Sequence, residues 1–254
     1  HENSLSAYFV CPGALCENVV SKRRPKSRIQ IIIKMNIPFP TSLQSMIDKC
    51  KLSSVTTGKS KSSVFFLRGH RESFFLKVIT KSPFQSFDYE VSILHWLKEK
   101  LPVPKVIDFI TNSSHEFLLL SEIKGSSAIN KSLFQSRKDI IKEVARGLKM
   151  IHCVDIQSCP FHQELKIKLQ NAGSNVKNGL VNESDFDASQ LGLKATDILH
   201  SLESSYETIH EELVFTHGDY CLPNVILQNK KLSGFVDFDK SGISDKYQDL
   251  AICS

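Results

Sequence analysis

Between residues 52 and 80 the apolar positions come in short runs of strand length. Residues 63–67 (SVFFL) and 73–79 (SFFLKVI) flank Arg68-Gly69-His70-Arg71-Glu72, so they read as a hairpin. From about 86 to 100 the period changes. Positions 87, 91, 94, 97 and 101 follow helical spacing, and Pro102 stops the helix. Residues 117–120 (FLLL) read as a buried strand, with Gly125 close behind. Ser136-Arg137-Lys138-Asp139 has the pattern of a helix start, and the helix it opens is expected to bury 140, 141, 144, 148 and 151. The chain then reads as mainly helical to about 210, except for 171–192, which is rich in Gly, Asn, Ser and Asp. The order is β-rich with one helix, then a short connector, then mostly helical. That is an α+β chain with segregated lobes and a hinge near 121–125. No internal repeat or low-complexity tract is visible.

Composition narrows the class. At 254 residues, 41% hydrophobic and 23% charged, the chain has the makeup of an ordinary soluble protein of one large or two modest domains. No apolar run approaches the length of a membrane span, and no membrane partner is expected. Lys and Arg number 32 against 27 Asp and Glu, but six basic residues (Lys22, Arg23, Arg24, Lys26, Arg28, Lys34) lie in the first 34 positions. The body is nearly neutral, so no nucleic-acid partner is expected. Seven scattered cysteines form no C-x-x-C pair, which points to free thiols and a cytoplasmic location. Residues 1–34 are expected to be a non-native or disordered extension, with Met35 a plausible start. At the other end DLAICS opens a helix with no stop signal, so the expectation is a truncated chain. The expected domains are 35–123 and 124–254.

Gly58-Lys59-Ser60 resembles the tail of a P-loop, but that motif needs Gly where Ser53 stands, and a strand follows instead of a helix. A glycine between two strands still lets backbone N–H groups approach phosphates. The richer segment is His217-Gly218-Asp219-Tyr220-Cys221-Leu222-Pro223-Asn224, followed by a strand pair and Asp237. The Asp-x4-Asn spacing is that of a protein-kinase catalytic loop. A hairpin of 225–228 and 233–236 turning at Lys230-Lys231 would set Asn224 opposite Asp237, about 5 Å apart at Cα. Two such oxygen ligands beside phosphates suit Mg2+. Asp219 is left to accept a hydroxyl proton. Upstream, Lys77 lies in an apolar strand and Glu90 on the buried stripe of the next helix. Each needs a partner if buried, and each is the other's nearest candidate.

HGDYCLPN and SGFVDFDKSGISDKYQDLA closely resemble the aminoglycoside 3'-phosphotransferases, and GKSKSSVFFL, FFLKV, ILHWLKEKLPVPKV, LLLSEIKG and EELVFTHGD agree in order. The similarity runs from about Leu43 to the last residue. It implies a protein-kinase-like two-lobed fold, with a small β-rich N-lobe and a mostly helical C-lobe whose last helices are missing. It also implies transfer of the ATP γ-phosphate to an aminoglycoside 3'-hydroxyl, with antibiotic resistance as the result. By motif, Asp219 corresponds to the catalytic aspartate and Asn224 and Asp237 to the Mg2+ ligands. Lys77 and Glu90 match the phosphate-binding pair. Gly58 and Ser60 match the phosphate loop, Phe75 an adenine-stacking ring, and Ser121, Glu122 and Ile123 the adenine-binding hinge. NGLVNESDFDASQLGL looks like the family's substrate loop. Asp185, Asp187 and Lys240 are the expected substrate-side residues, with Glu183 in the same acidic cluster. The chain departs from the family in Asp239-Lys240, where Gly-Arg is usual, and in Ala188, where some members have Glu. The competing readings are a related kinase for choline, a sugar or a macrolide, and an inactive truncated remnant.

Overall fold

The computed structural model describes residues 37–55, 62–130 and 137–253. They divide into two compact units. One runs to Lys124 and takes in Gly234–Val236, and the other comprises Gly125–Ser233 and the residues from Asp237 onward. Residues 1–34, Gly58 and Ser60 lie outside the described residues.

The first unit is built on a five-stranded antiparallel sheet in the order β1-β2-β3-β5-β4, from β1 (Lys51–Val55), β2 (Ser63–Arg68), β3 (Ser73–Thr80), β4 (Val106–Thr111) and β5 (His115–Ser121). The expected hairpin is present: Arg68 pairs with Ser73, and Gly69 N–H donates to Glu72 O at 3.1 Å. The period-2 alternation sorts the side chains onto two faces. Phe65, Leu67, Leu76, Val78, Phe117 and Leu119 fall on one face, and helix α1 (Thr41–Lys49) covers it with Leu43 and Ile47. Phe66, Phe75 and Lys77 point to the other face. Helix α2 (Asp88–Leu97) is shorter at both ends than its pattern suggested, and Ile93 is buried where Val91 was expected. Its cap residue Phe87 has no side-chain acceptor, so Glu116 of β5 accepts the Phe87 N–H at 2.9 Å and Ser86 Oγ accepts that of Asp88. This fixes the start of α2 against the sheet.

The second unit is mostly helical, with α3 (Arg137–His152), α4 (Leu165–Lys177), α5 (Ala195–Tyr206) and α6 (Lys246–Cys253). Two small sheets accompany them. One joins β7 (Leu213–Thr216) to β10 (Gly242–Asp245), and the other has the order β6-β8-β9. In the latter, β6 is Ser126–Ser127, β8 is Val225–Gln228 and β9 is Lys231–Phe235, whose last two residues belong to the first unit. Three expectations need correction here. Ile141 is 66% exposed, and Glu143 takes the buried place on α3. The burial is possible because Leu232 N–H (2.9 Å), Arg146 (2.7 Å) and Lys231 (3.1 Å) all donate to the Glu143 carboxylate. The polar stretch 171–192 opens inside α4, where Gly173 lies beside Leu199 of α5, so tertiary packing overrides composition. Residues 153–164, expected to be helical, contain no α-helix.

Candidate active site

The first unit places its charged pair by strand register. Lys77 sits mid-strand in β3, between Val64 of β2 and Leu118 of β5. Its Nζ donates to Glu90 Oε1 of α2 at 2.6 Å. Glu90 is only 2% exposed, which a carboxylate tolerates when its charge is matched and hydrogen-bonded. Phe75 lies two residues before Lys77 on the same face, its ring 5.0 Å from that of Phe66. In the connector, Glu122 N–H donates to Ser73 O at 3.1 Å and Ser121 N–H to Lys105 O at 2.9 Å. Ile123 lies beyond the end of β5, in a stretch without regular structure.

The second unit holds its chemistry on a loop whose backbone is pinned by side chains. β7 ends at Thr216, and the buried residues His217 and Gly218 lead into Asp219. Gly218 has φ +82°, and a Cβ there would sit 2.1 Å from Lys240 O, so the position needs glycine on two counts. The His217 carbonyl accepts from Ser241 Oγ at 2.7 Å, and His217 Nδ1 faces the Asp219 N–H at 3.3 Å. The His217 ring packs on Phe238, centroids 4.6 Å apart, and edge-on to Tyr220. The Tyr220 hydroxyl donates to Val144 O of α3 at 2.6 Å. Asn224 closes the loop: its Nδ2 donates to Asp219 O at 3.0 Å.

Asp249 was not singled out in the sequence, where it passed as the opening of a helix. It is fully buried in α6 and accepts the N–H groups of His217 (2.8 Å) and Gly218 (2.9 Å), and it meets His152 Nε2 at 3.1 Å. A buried Asp accepting two consecutive backbone donors fixes the peptides that carry Asp219. Asp249 lies beyond the motif that marks the loop, in a helix start where an acidic residue is ordinary, so only the pairing exposes its role.

Asp219 keeps its carboxylate partly exposed, 3.5 Å from Lys240 Nζ. Lys240, expected on the substrate side, is therefore placed at Asp219 itself. Cys221 nearby has its thiol pushed up to about 12 by burial and then by the Asp219 charge, so it is no nucleophile. The hairpin differs from expectation. Its turn occupies Asn229 and Lys230, with φ of 50° and 61°, the left-handed pair of a two-residue hairpin. β9 starts at Lys231, which moves the register by two residues, so the expected pairing of Asn224 with Asp237 does not follow from the hairpin. Asn224 lies in a 3-10 turn (Leu222–Asn224), and Asp237 has φ 72°.

The expected substrate loop lies between α4 and α5. Glu183 is committed locally: it accepts from Ala195 N–H at 3.0 Å and from Lys194 at 2.9 Å, capping α5 from outside the helix. Those bonds, the backbone one first, lower its pKa. Asp185 accepts from Asn182 Nδ2 at 3.0 Å within a 3-10 turn (Glu183–Asp185), and Asp187 is half-buried just beyond it. Among the described residues no helix is long and apolar enough to cross a membrane. Nor do any three His, Cys, Asp or Glu side chains group there as metal ligands.

Residues 51–254 match the model of a phosphotransferase enzyme family. An aminoglycoside 3'-phosphotransferase from Niallia circulans is 31% identical over 84% of this chain and 81% of its own length. The chain belongs to the aminoglycoside phosphotransferase family. Another such relative, from Enterococcus faecalis, is 32% identical over 83% of the chain and 81% of its own. A solved aminoglycoside-3'-phosphotransferase of type VIII superimposes with a TM-score of 0.74 at 26% identity, covering 88% of this chain and 81% of that one. The resemblance drawn from HGDYCLPN and its flanking motifs is borne out, as is the α+β kinase-like fold class.

Proposed function

We propose that this chain is a cytoplasmic, ATP-dependent aminoglycoside O-phosphotransferase acting on a 3'-hydroxyl. The observation that carries this reading is Asp219. In a chain of this family, its backbone is fixed by Asn224 and by the Asp249-bound peptides before it, while its carboxylate stays part-exposed beside Lys240. A carboxylate so placed orients the acceptor hydroxyl and takes its proton as the new O–P bond forms and the bond from the γ-phosphorus to the bridging oxygen breaks, with ADP leaving. Lys240 holds that carboxylate in place as its counter-charge. Lys77, itself oriented by Glu90, binds nucleotide phosphate oxygens. Phe75 offers its face to the adenine ring, and Ser121, Glu122 and Ile123 read the adenine edge with backbone groups.

The residues present fit a Mg2+ ion. Asn224 spends its amide nitrogen on Asp219 O, which leaves its carbonyl oxygen as the atom it offers elsewhere. That oxygen and the Asp237 carboxylate are the hard donors Mg2+ takes in small number, the rest coming from phosphates and water. When bound, the ion neutralises charge on the phosphate oxygens. Asp185 and Asp187 supply negative charge for a polycationic aminoglycoside, while Glu183 holds the loop that bears them.

The test is a coupled ADP-release assay against a panel of aminoglycosides, with choline, a sugar and a macrolide as further acceptors. The expected result is turnover with aminoglycosides only. Asp219→Ala should lower kcat by ~10²-fold or more with nucleotide affinity kept, since acid–base groups contribute at that scale. Retention of about a tenth of kcat or more would remove Asp219 from its role.

A further inference from the structure

A polar relay leads from α4 to the peptide that precedes Asp219. Lys168 Nζ donates to Ser244 Oγ at 2.8 Å, Ser244 Oγ donates to Gln248 Oε1 at 3.1 Å, and Gln248 Nε2 donates to Gly218 O at 3.0 Å. The members come from three elements, α4, β10 and α6. We infer that Gln248 is a positioning residue for phosphoryl transfer, its amide oriented by Lys168 through Ser244 so that it holds the Gly218 carbonyl. The inference rests on Asp219 being the base.

The direction of the relay follows from donor chemistry. A lysine ammonium has three donors and no acceptor. Ser244 must therefore accept from Lys168, and its own proton goes to the Gln248 oxygen. That leaves the Gln248 NH2 group facing Gly218 O, the only arrangement in which every contact pairs a donor with an acceptor. Gly218 is then held on both sides: its N–H by Asp249 at 2.9 Å, and its C=O, in the peptide to Asp219, by Gln248. Gly218 has a left-handed φ, so rotation of this peptide would re-aim the next residue, Asp219. Ser244 and Gly218 are buried, so water cannot readily stand in for a lost member.

Burial pushes the Lys168 ammonium down to about 8, against the opposing pull of the Asp249, Glu211, Asp245 and Glu164 carboxylates around it. Once neutral, the amine gains a lone pair and no longer forces Ser244 to donate toward Gln248. The alkaline range is therefore where the relay loses its direction.

Steady-state kinetics on the full chain test this. Gln248→Met should lower kcat roughly five- to tenfold, the scale of one buried hydrogen bond, with KM for ATP and for kanamycin within about twofold. Lys168→Met should do the same, and Lys168→Arg, which stays protonated, should restore most of kcat. Wild-type kcat should fall as pH rises through about 8, and Lys168→Arg should lack that fall. A merely structural strut would lower thermal stability without this split or this pH effect. Unchanged kcat in Gln248→Met, in an enzyme that Asp219→Ala inactivates, would overturn the relay and leave Asp219 standing. Full activity in both variants would instead overturn the reading of Asp219. If Gln248→Met does not fold, equal kcat in Lys168→Met and Lys168→Arg overturns the relay by itself.

Discussion

The two units hold their charged residues by different means. In the first, Lys77 and Glu90 are placed by regular elements: strand register sets one, helix phase sets the other, and the two side chains meet at 2.6 Å. In the second, Asp219, Asn224 and Asp237 stand on loops, and the conformation is held by buried and half-buried polar side chains that themselves do no chemistry. Asp249 takes two N–H groups, Ser241 and Gln248 take two carbonyls, and Tyr220 anchors to α3. Regular structure satisfies its own backbone, and a loop must borrow donors and acceptors from elsewhere. The scaffold of the first unit should therefore survive loss of its charged pair, while the loop of the second should not survive loss of its supports.

The largest expected effect tests the first half of that contrast. Lys77→Met leaves Glu90 buried without the ammonium and should cost about 3–5 kcal/mol. The double variant Lys77→Met/Glu90→Leu replaces an ion pair with apolar volume on an intact sheet and should recover that stability to within about 1 kcal/mol. Activity should stay at least ~10²-fold down in both, because phosphate binding needs the amine. Chemical denaturation of the two variants, with kcat/KM beside it, separates scaffold from chemistry. A double variant as unstable as the single one would mean that the pair helps build the sheet.

Gly218→Ala probes the other half. A Cβ would meet a backbone oxygen at 2.1 Å, and the left-handed φ itself is strained for alanine at about 1–3 kcal/mol. The loop has no regular hydrogen bonding to absorb the shift, so the strain should pass to Asp219. The expected outcome is a loss of kcat of ~10²-fold or more with nucleotide KM nearly unchanged. A rise in nucleotide KM with kcat intact would place the damage elsewhere.

The same contrast governs what the sequence makes legible. Apolar alternation and helical spacing marked β2, β3, β5, α2 and α3, because burial on one face imposes a period. The Lys77–Glu90 pair was legible for the same reason, as two charges on apolar stripes. The loop motif announced itself by spacing, but its supports did not. Asp249, Ser241 and Gln248 are polar residues in unremarkable places, and only the fold reveals that each meets the backbone of residues 217–218. Short strands such as β6, β7 and β10 carry too few residues for a period to emerge. The hairpin register was missed because Asn229 and Lys230, neither a glycine, adopt the left-handed turn. Glu143 was missed because a buried carboxylate breaks the apolar stripe that its helix otherwise keeps.

Glu143 offers the smallest and most selective test. It joins a helix to a hairpin as the loop supports do, yet it sits well away in sequence from the catalytic motif. Its carboxylate is held near 2, first by the Leu232 N–H and then by Arg146, with burial opposing. The folded value lies below the ordinary 4.5, so the stabilisation is fully present above that pH. It is lost as pH falls toward 2 and the carboxylate takes a proton. Glu143→Gln keeps an acceptor for Leu232 but removes the charge, which should cost about 1 kcal/mol at pH 7, the difference between charge-assisted and neutral hydrogen bonds. Urea midpoints for wild type and variant should therefore differ at pH 7 and converge as the pH is lowered from 4.5. Aminoglycoside turnover at pH 7 should change little, because Glu143 touches the turn end of the hairpin and no peptide of the Asp219 loop. A gap in midpoint that stays constant with pH would show that the carboxylate is not the group that matters. A large loss of turnover would extend the loop's dependence on side-chain supports outward to the hairpin.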